Sequence, residues 1–236
     1  MVVSLLVFDM DDTLFLERSY VESGFRAVSE MLAADHQYPA FFERAWREFA
    51  SGRRGDIFNA VLQDSAEWLP SDIVELCVSR YRSHEPSIEL LADAHDFLVA
   101  CRPLVGTGLI TDGPRKSQRA KVRSLNLDAL IERVVVTDEH GEGDWAKPAP
   151  AAYESLQDWF GVSGGECVYF GDNPRKDFIS PRKLGWRTVR VRRPGGLHES
   201  LETPDDAEFE VSNLTRESLA MIDCLGFVAD ETKCAQ

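Results

Sequence analysis

The apolar run Val2 to Phe8 leads straight into Asp9-Met10-Asp11-Asp12-Thr13, and no other stretch of the chain restricts its fold as strongly. A short run of this kind reads as a strand buried on both faces. It delivers a cluster of carboxylates and a hydroxyl at its carboxyl end, where open α/β sheets hold their ligands. Carboxylates packed so closely repel one another. The crowding is tolerable when a cation such as Mg²⁺ sits among them, because that ion takes oxygen ligands and shares its shell with a phosphate. The segment therefore points to metal-assisted phosphoryl chemistry. Asp and Thr also serve as loop and helix-cap residues, so the reading turns on whether partner groups recur at other strand ends.

Further apolar runs at Leu104 to Thr111, Arg133 to Thr137 and Glu166 to Gly171, with an alternating one at Arg187 to Arg192, predict more strands. Helical spacing lies between them, as in Ala152, Tyr153, Leu156, Trp159 and Phe160, which follow Pro148 and Pro150 and stop at Gly161. Strands separated by single helices predict right-handed crossovers and a doubly wound parallel sheet, an α/β Rossmann-like core. Residues 17–86 differ, since amphipathic patterns such as Val21, Phe25, Val28 and Leu32 recur there without strand-like alternation. They predict a small all-helical domain with Phe41, Phe42, Trp46, Phe49, Ile57, Phe58, Val61 and Leu62 in its core. Residues 1–16 and 87–236 would form the sheet domain, entered by a helix over Ile88 to Cys101 and closed by a last helix around Thr215 to Leu225.

The chain has 236 residues, 44% of them hydrophobic, enough for one domain of ordinary size and a smaller insert. Its 40 acidic side chains against 26 basic ones give a net charge of -14, which opposes binding to nucleic acid or anionic membranes by bulk attraction. Any phosphate must be held by local groups. The cysteines, Cys77, Cys101, Cys167, Cys224 and Cys234, are scattered and form no C-x-x-C pair, so a reducing, cytoplasmic setting is expected, with neither a disulfide framework nor a zinc site. No basic segment precedes the first apolar run, so a secretory leader is not expected, and no stretch approaches a membrane span.

Partner groups do recur where strands are expected to end: Thr111-Asp112-Gly113, Lys147 before Pro148, and Gly171-Asp172 with Asp177. Taken singly, Thr111 would serve as a helix cap, Lys147 as a solvated loop charge and Gly171 to Pro174 as a turn. Together with Asp9 and Asp11, in this order, they resemble the four signature motifs of the haloacid dehalogenase-like hydrolases. The resemblance spans the chain, the helical insert matching that family's cap domain. It implies that Asp9 is a nucleophile forming an aspartyl-phosphate and that Asp11 is the general acid and then base. Thr111, the amides of Asp112 and Gly113 opening the next helix, and Lys147 would bind the phosphate. Mg²⁺ would be held by Asp9, the Asp11 backbone carbonyl and Asp172, with Asp177 orienting these ligands from behind.

Two details narrow the class. Asp at position 11 supplies the proton donor that ester cleavage needs and that the family's dehalogenases lack, so a phosphatase is expected. Asp112 stands where related sequences often carry Asn, and its extra anion must point away from the phosphate or be paired. In capped relatives the cap and its hinges read the leaving group, which nominates Glu17, Arg18, Tyr20, Arg53, Arg54 and Asn59. Such a set suits a small phosphorylated metabolite, a sugar or polyol phosphate ahead of a nucleotide. Two rivals are a phosphomutase, in which a second sugar hydroxyl takes the phosphoryl group, and a non-catalytic binding or scaffold protein on the same fold. The oligomeric state is left open.

Overall fold

A computed structural model describes residues 2–62, 69–141, 144–203 and 206–220. Six strands form one sheet: β1 (Leu5–Phe8), β2 (Gly106–Thr111), β3 (Arg133–Val136), β4 (Cys167–Gly171), β5 (Arg187–Val191) and β6 (Phe209–Val211). Their order is β3-β2-β1-β4-β5-β6 and every pairing is parallel. Successive strands are added outward from β1 to β3 on one side, after which the chain crosses back to place β4 against β1. That reversal opens a crevice beyond the carboxyl ends of β1 and β4, where doubly wound sheets bind ligands. Phe8, the last residue of β1, is in register with Phe170 of β4 and Leu109 of β2, with Asp9 following β1, Asp172 following β4 and Thr111 as the last residue of β2.

Strand residues alternate between two apolar layers. Leu5, Val7, Ile110, Cys167 and Tyr169 face Ala152, Tyr153 and Leu156 of α7 (Ala151–Phe160), with Phe178 and Trp186 completing that core. On the opposite face Phe8 stacks on Phe170 with ring centroids 5.0 Å apart, and meets the edge of Phe97 from α5 (Ala92–Cys101) at 5.9 Å. Gly161 at φ +66° terminates α7, as its position after the apolar spacing predicts.

The chain divides into two compact units, Met1–Glu17 with Glu89–Gln236, and Arg18–Ile88. The second unit is built on α1 (Glu17–His36), α2 (Phe41–Ala50), α3 (Ile57–Leu62) and α4 (Ile73–Ser83), with no strand among its described residues. Phe25 is its centre, packing against Phe41, Phe49, Phe58 and Tyr81. Phe42 and Trp46, expected in this core, are only half-buried and stack on each other instead. No helix among the described residues is long and apolar enough to cross a membrane.

Several expected boundaries move. The helix foreseen from Ile88 begins at Ala92, because Leu91 is extended and its N–H bonds to the Leu14 carbonyl at 3.0 Å. Leu104 and Val105, expected in β2, turn back instead and donate to Cys101 O. Strand β6 is too short to carry a legible alternation and is absent from the sequence reading. The last helix is described only over Arg216–Leu219, and its expected remainder to Leu225 lies outside the described residues. Cys77, Cys101 and Cys167 are buried and form no disulfide among the described residues, whereas Cys224 and Cys234 lie outside them.

Because Phe8 is fully buried in the aromatic layer, Phe8→Ala should lower unfolding free energy by about 3–5 kcal/mol, read from urea denaturation followed by circular dichroism.

Candidate active site

The four strand-end segments meet in the first unit. Lys147 Nζ is fully enclosed, in contact with Asp9 Oδ1, 2.8 Å from Asp177 Oδ1 and 3.1 Å from the Tyr169 hydroxyl. Asp177 is further fixed by the Asn173 N–H, 2.9 Å from its Oδ2. A side chain at Gly171 would drive its Cβ to 2.6 Å from that same oxygen, so a glycine ends β4 where Asp177 folds back. Oxygens of Asp9, Asp172 and Asp177 lie within 4.8 Å of one another, and all three residues are buried.

Electrostatics follow from burial. Desolvation opposes the charge on Lys147, but Asp177 and Asp9 outweigh it and hold its ammonium well above the ordinary lysine range. Burial pushes Asp9 up to about 7, against the pull of Lys147 and with help from Asp177. Asp172 is raised for the same reason, burial first and then the neighbouring Asp177 and Asp9 anions. One lysine thus does not neutralise the three carboxylates. The donors are all hard oxygens, with no imidazole or thiolate among them, and this set fits Mg²⁺.

Asp12 leaves the cluster. It adopts the left-handed conformation at φ +53°, and its carboxylate accepts from the N–H groups of Glu17 at 2.8 Å and Leu197 at 2.7 Å. It fastens the first loop to the segment after β5. Arg193 adds to this fastening, donating to the Thr13 carbonyl through Nε and Nη2 while Nη1 meets Asp93 at 2.6 Å.

The Asp112 carboxylate is paired, as its position required. Oδ1 accepts from Thr137 Oγ1 at 2.9 Å and the Lys147 N–H at 3.2 Å, and Oδ2 meets Lys176 Nζ at 3.0 Å. Burial would raise this group, but Lys147 and Lys176 prevail and hold it below the usual carboxylate range. Thr111 is fully buried. The following helix, α6 (Arg115–Ser124), starts beyond Gly113, so Asp112 and Gly113 belong to the loop ahead of it rather than to its first turn. Gly113 sits at φ +129°, where a Cβ would also press on the Gln118 side chain at 3.3 Å.

Asp11 has partners that the sequence reading missed. Lys121 Nζ lies 2.6 Å from Oδ1 and Gln118 Nε2 lies 3.2 Å from Oδ2. The same amide nitrogen donates to Thr111 Oγ1 and to the Asp112 carbonyl. Both residues project from one face of α6, three positions apart. Glu17 joins this region, pushed up to about 7 by burial and by Asp11. The remaining nominees belong to the second unit. Arg18 lies 5.8 Å over the Trp46 ring, and Tyr20 is buried against Tyr81 and His84. Arg53 pairs with Glu48 and Asp56, Arg54 covers the Phe49 ring at 4.1 Å, and Asn59 is exposed.

A parallel sheet reversing at β1 and β4, with acid groups and a buried lysine at that point, defines a class of hydrolase. The model of the haloacid dehalogenase-like hydrolase family matches residues 3–185, and the chain belongs to that family. Among curated relatives, the glyceraldehyde 3-phosphate phosphatase of Methanocaldococcus jannaschii is 26% identical over 89% of this chain and 92% of its own length. The phosphoserine phosphatase of Thermus thermophilus is 29% identical over 80% and 71%. Among solved structures, the magnesium-bound HAD-hydrolase YfnB of Bacillus subtilis superposes with a TM-score of 0.67 over 94% of this chain and 99% of its own, at 18% identity.

The raised Asp9 has a measurable consequence. Folded, it keeps its proton up to about 7, whereas unfolded it releases it near 3.8, so this group's contribution to stability is present below 3.8 and is lost as pH rises through that window. A divalent cation binds the ionised form and reverses the loss. The rise in melting temperature on adding Mg²⁺ should therefore be larger at pH 8 than at pH 5, as measured by differential scanning fluorimetry; an equal rise at both would contradict the assignment.

Proposed function

We infer that this protein is a Mg²⁺-dependent phosphomonoesterase acting on a small phosphorylated metabolite through an aspartyl-phosphate. The carrying observation is the convergence of Asp9, Lys147, Asp172 and Asp177 at the switch point of the sheet. Asp9 attacks phosphorus, and the leaving oxygen takes its proton from Asp11. Asp11 then accepts a proton from the water that cleaves the acyl phosphate. Lys147 remains cationic throughout and offsets charge on both the nucleophile and the phosphoryl group. The Thr111 hydroxyl oxygen accepts from Gln118, which leaves its own proton for a phosphate oxygen. The N–H groups of Asp112 and Gly113 are the backbone donors of this reading.

Asp9, Asp172 and the Asp11 carbonyl are the fitting ligands for Mg²⁺, which when bound supplies positive charge shared between nucleophile and phosphate. Asp177 suits an orienting role, since both its oxygens are already engaged by Lys147 and the Asn173 N–H. The second unit, Arg18–Ile88, would act as a cap that excludes water during the reaction. Relatives named for glyceraldehyde 3-phosphate and phosphoserine favour a small, non-nucleotide ester. Buried cysteines outside any disulfide agree with a reducing, cytoplasmic setting.

A screen of phosphorylated metabolites read by phosphate release should find Mg²⁺-dependent hydrolysis that needs no bisphosphate activator. Asp9→Asn should reduce turnover by at least ~10³-fold with an unchanged circular dichroism spectrum. Wild-type protein without hydrolysis, or an Asp9→Asn variant as active as wild type, would refute the reading.

A further inference from the structure

The family motifs leave the inner face of α6 unexplained. Its sequence, Arg-Lys-Ser-Gln-Arg-Ala-Lys-Val-Arg-Ser, is dominated by cations, yet Lys121 and Gln118 are among the most buried polar residues of the chain, 4% and 2% exposed. A lysine so enclosed persists only when paired. Its ammonium meets Asp11 Oδ1 and lies 5.8 Å from the centre of the Phe15 ring, while Gln118 takes Oδ2. The Asp11 carboxylate is thus held from one rigid helix, Oδ1 by Lys121 and Oδ2 by a Gln118 amide whose two protons it shares with Thr111 and the Asp112 carbonyl.

We propose that Lys121, seconded by Gln118, is a positioning residue that fixes the rotamer of Asp11 relative to Thr111, so that the proton donor and the phosphate-binding hydroxyl keep a constant separation. This rests on the phosphatase reading above. Lys121 acts through Asp11 and need not touch the phosphoryl group. A carboxyl that swings away fails to protonate an alkoxide but hardly affects a leaving group that departs without a proton. Orientation of this kind is worth large factors when misplacement approaches an ångström.

The test compares kcat/KM, which reports steps up to alcohol release, on glycerol 3-phosphate and on p-nitrophenyl phosphate. In Lys121→Met the alkyl ester should lose about 10²-fold. The aryl ester, whose anion leaves unassisted, should change by less than about 3-fold. Lys121→Gln, which keeps an N–H donor without the charge, should fall between wild type and Lys121→Met, and it carries the test if Lys121→Met fails to fold by circular dichroism. Equal losses on both esters, or no loss on either, in a folded variant would overturn the positioning role while leaving the phosphatase reading intact. A wild-type protein inactive on both esters and on the metabolite screen would instead remove the phosphatase reading and this inference with it.

Discussion

The buried ammonium of Lys147 is the interaction on which the site's geometry rests. It arrives on the loop before α7 yet bonds to Asp9 after β1 and to Asp177 after β4. An unpaired carboxylate or lysine at this depth would carry a desolvation cost of several kcal/mol, so each group holds the others in place. The same bonds tie three separate strand ends to one point. Tyr169 and Tyr153 close the underside, the first receiving a bond from Lys147 and the second donating to the Asp177 carbonyl at 3.2 Å. Their rings also belong to the apolar core beneath the sheet. The polar centre is therefore continuous with the packing that stabilises the fold.

The arrangement stays electrically incomplete, and that incompleteness is its chemical use. Three carboxylates face one lysine, and the raised values of Asp9 and Asp172 express the remaining imbalance. Filling the cluster with a second lysine would relieve the strain but leave nothing for a metal or phosphate to neutralise. A deficit of positive charge draws in a divalent ion, and an ion that shares its shell draws in a dianion. On the proposed reading, local charge would set the partner, even though a chain of net charge -14 repels anions at long range.

Legibility in the sequence tracked the period of the signal. Five strands and α7 stood out because apolar runs and helical spacing are local patterns, and Asp9, Thr111 and Asp172 were legible because each ends or follows such a run. Lys121 and Gln118 were hidden, since a helix carrying so many cations reads as solvated, and only the fold shows which face turns inward. Asp12 misled in the opposite sense. Its carboxylate looks catalytic in a row of acids, but the left-handed backbone sends it back to cap Glu17 and Leu197. Arg53 was nominated from its loop alone, and its ion pairs with Glu48 and Asp56 are contacts that the sequence pattern does not reveal.

Asp112 shows how one unusual residue obliges another. An amide at that position would offer an oxygen to the Lys147 N–H as well as a carboxylate does, so the bond at 3.2 Å does not require an acid. The second oxygen is different, because an amide nitrogen there would present protons to the Lys176 ammonium. Asp112 and Lys176 therefore form a matched pair, in which the lysine cancels the anion placed beside the expected phosphate, and Asp112 joins Asp9 and Asp177 in keeping the half-buried Lys176 charged despite the nearby Lys147. Since Lys176 sits in the turn between Asp172 and Asp177, the pair also links the loop after β2 to the loop after β4. The departure from Asn at position 112 thus leaves the local charge balance unchanged and adds a brace between two of the loops that must stay aligned.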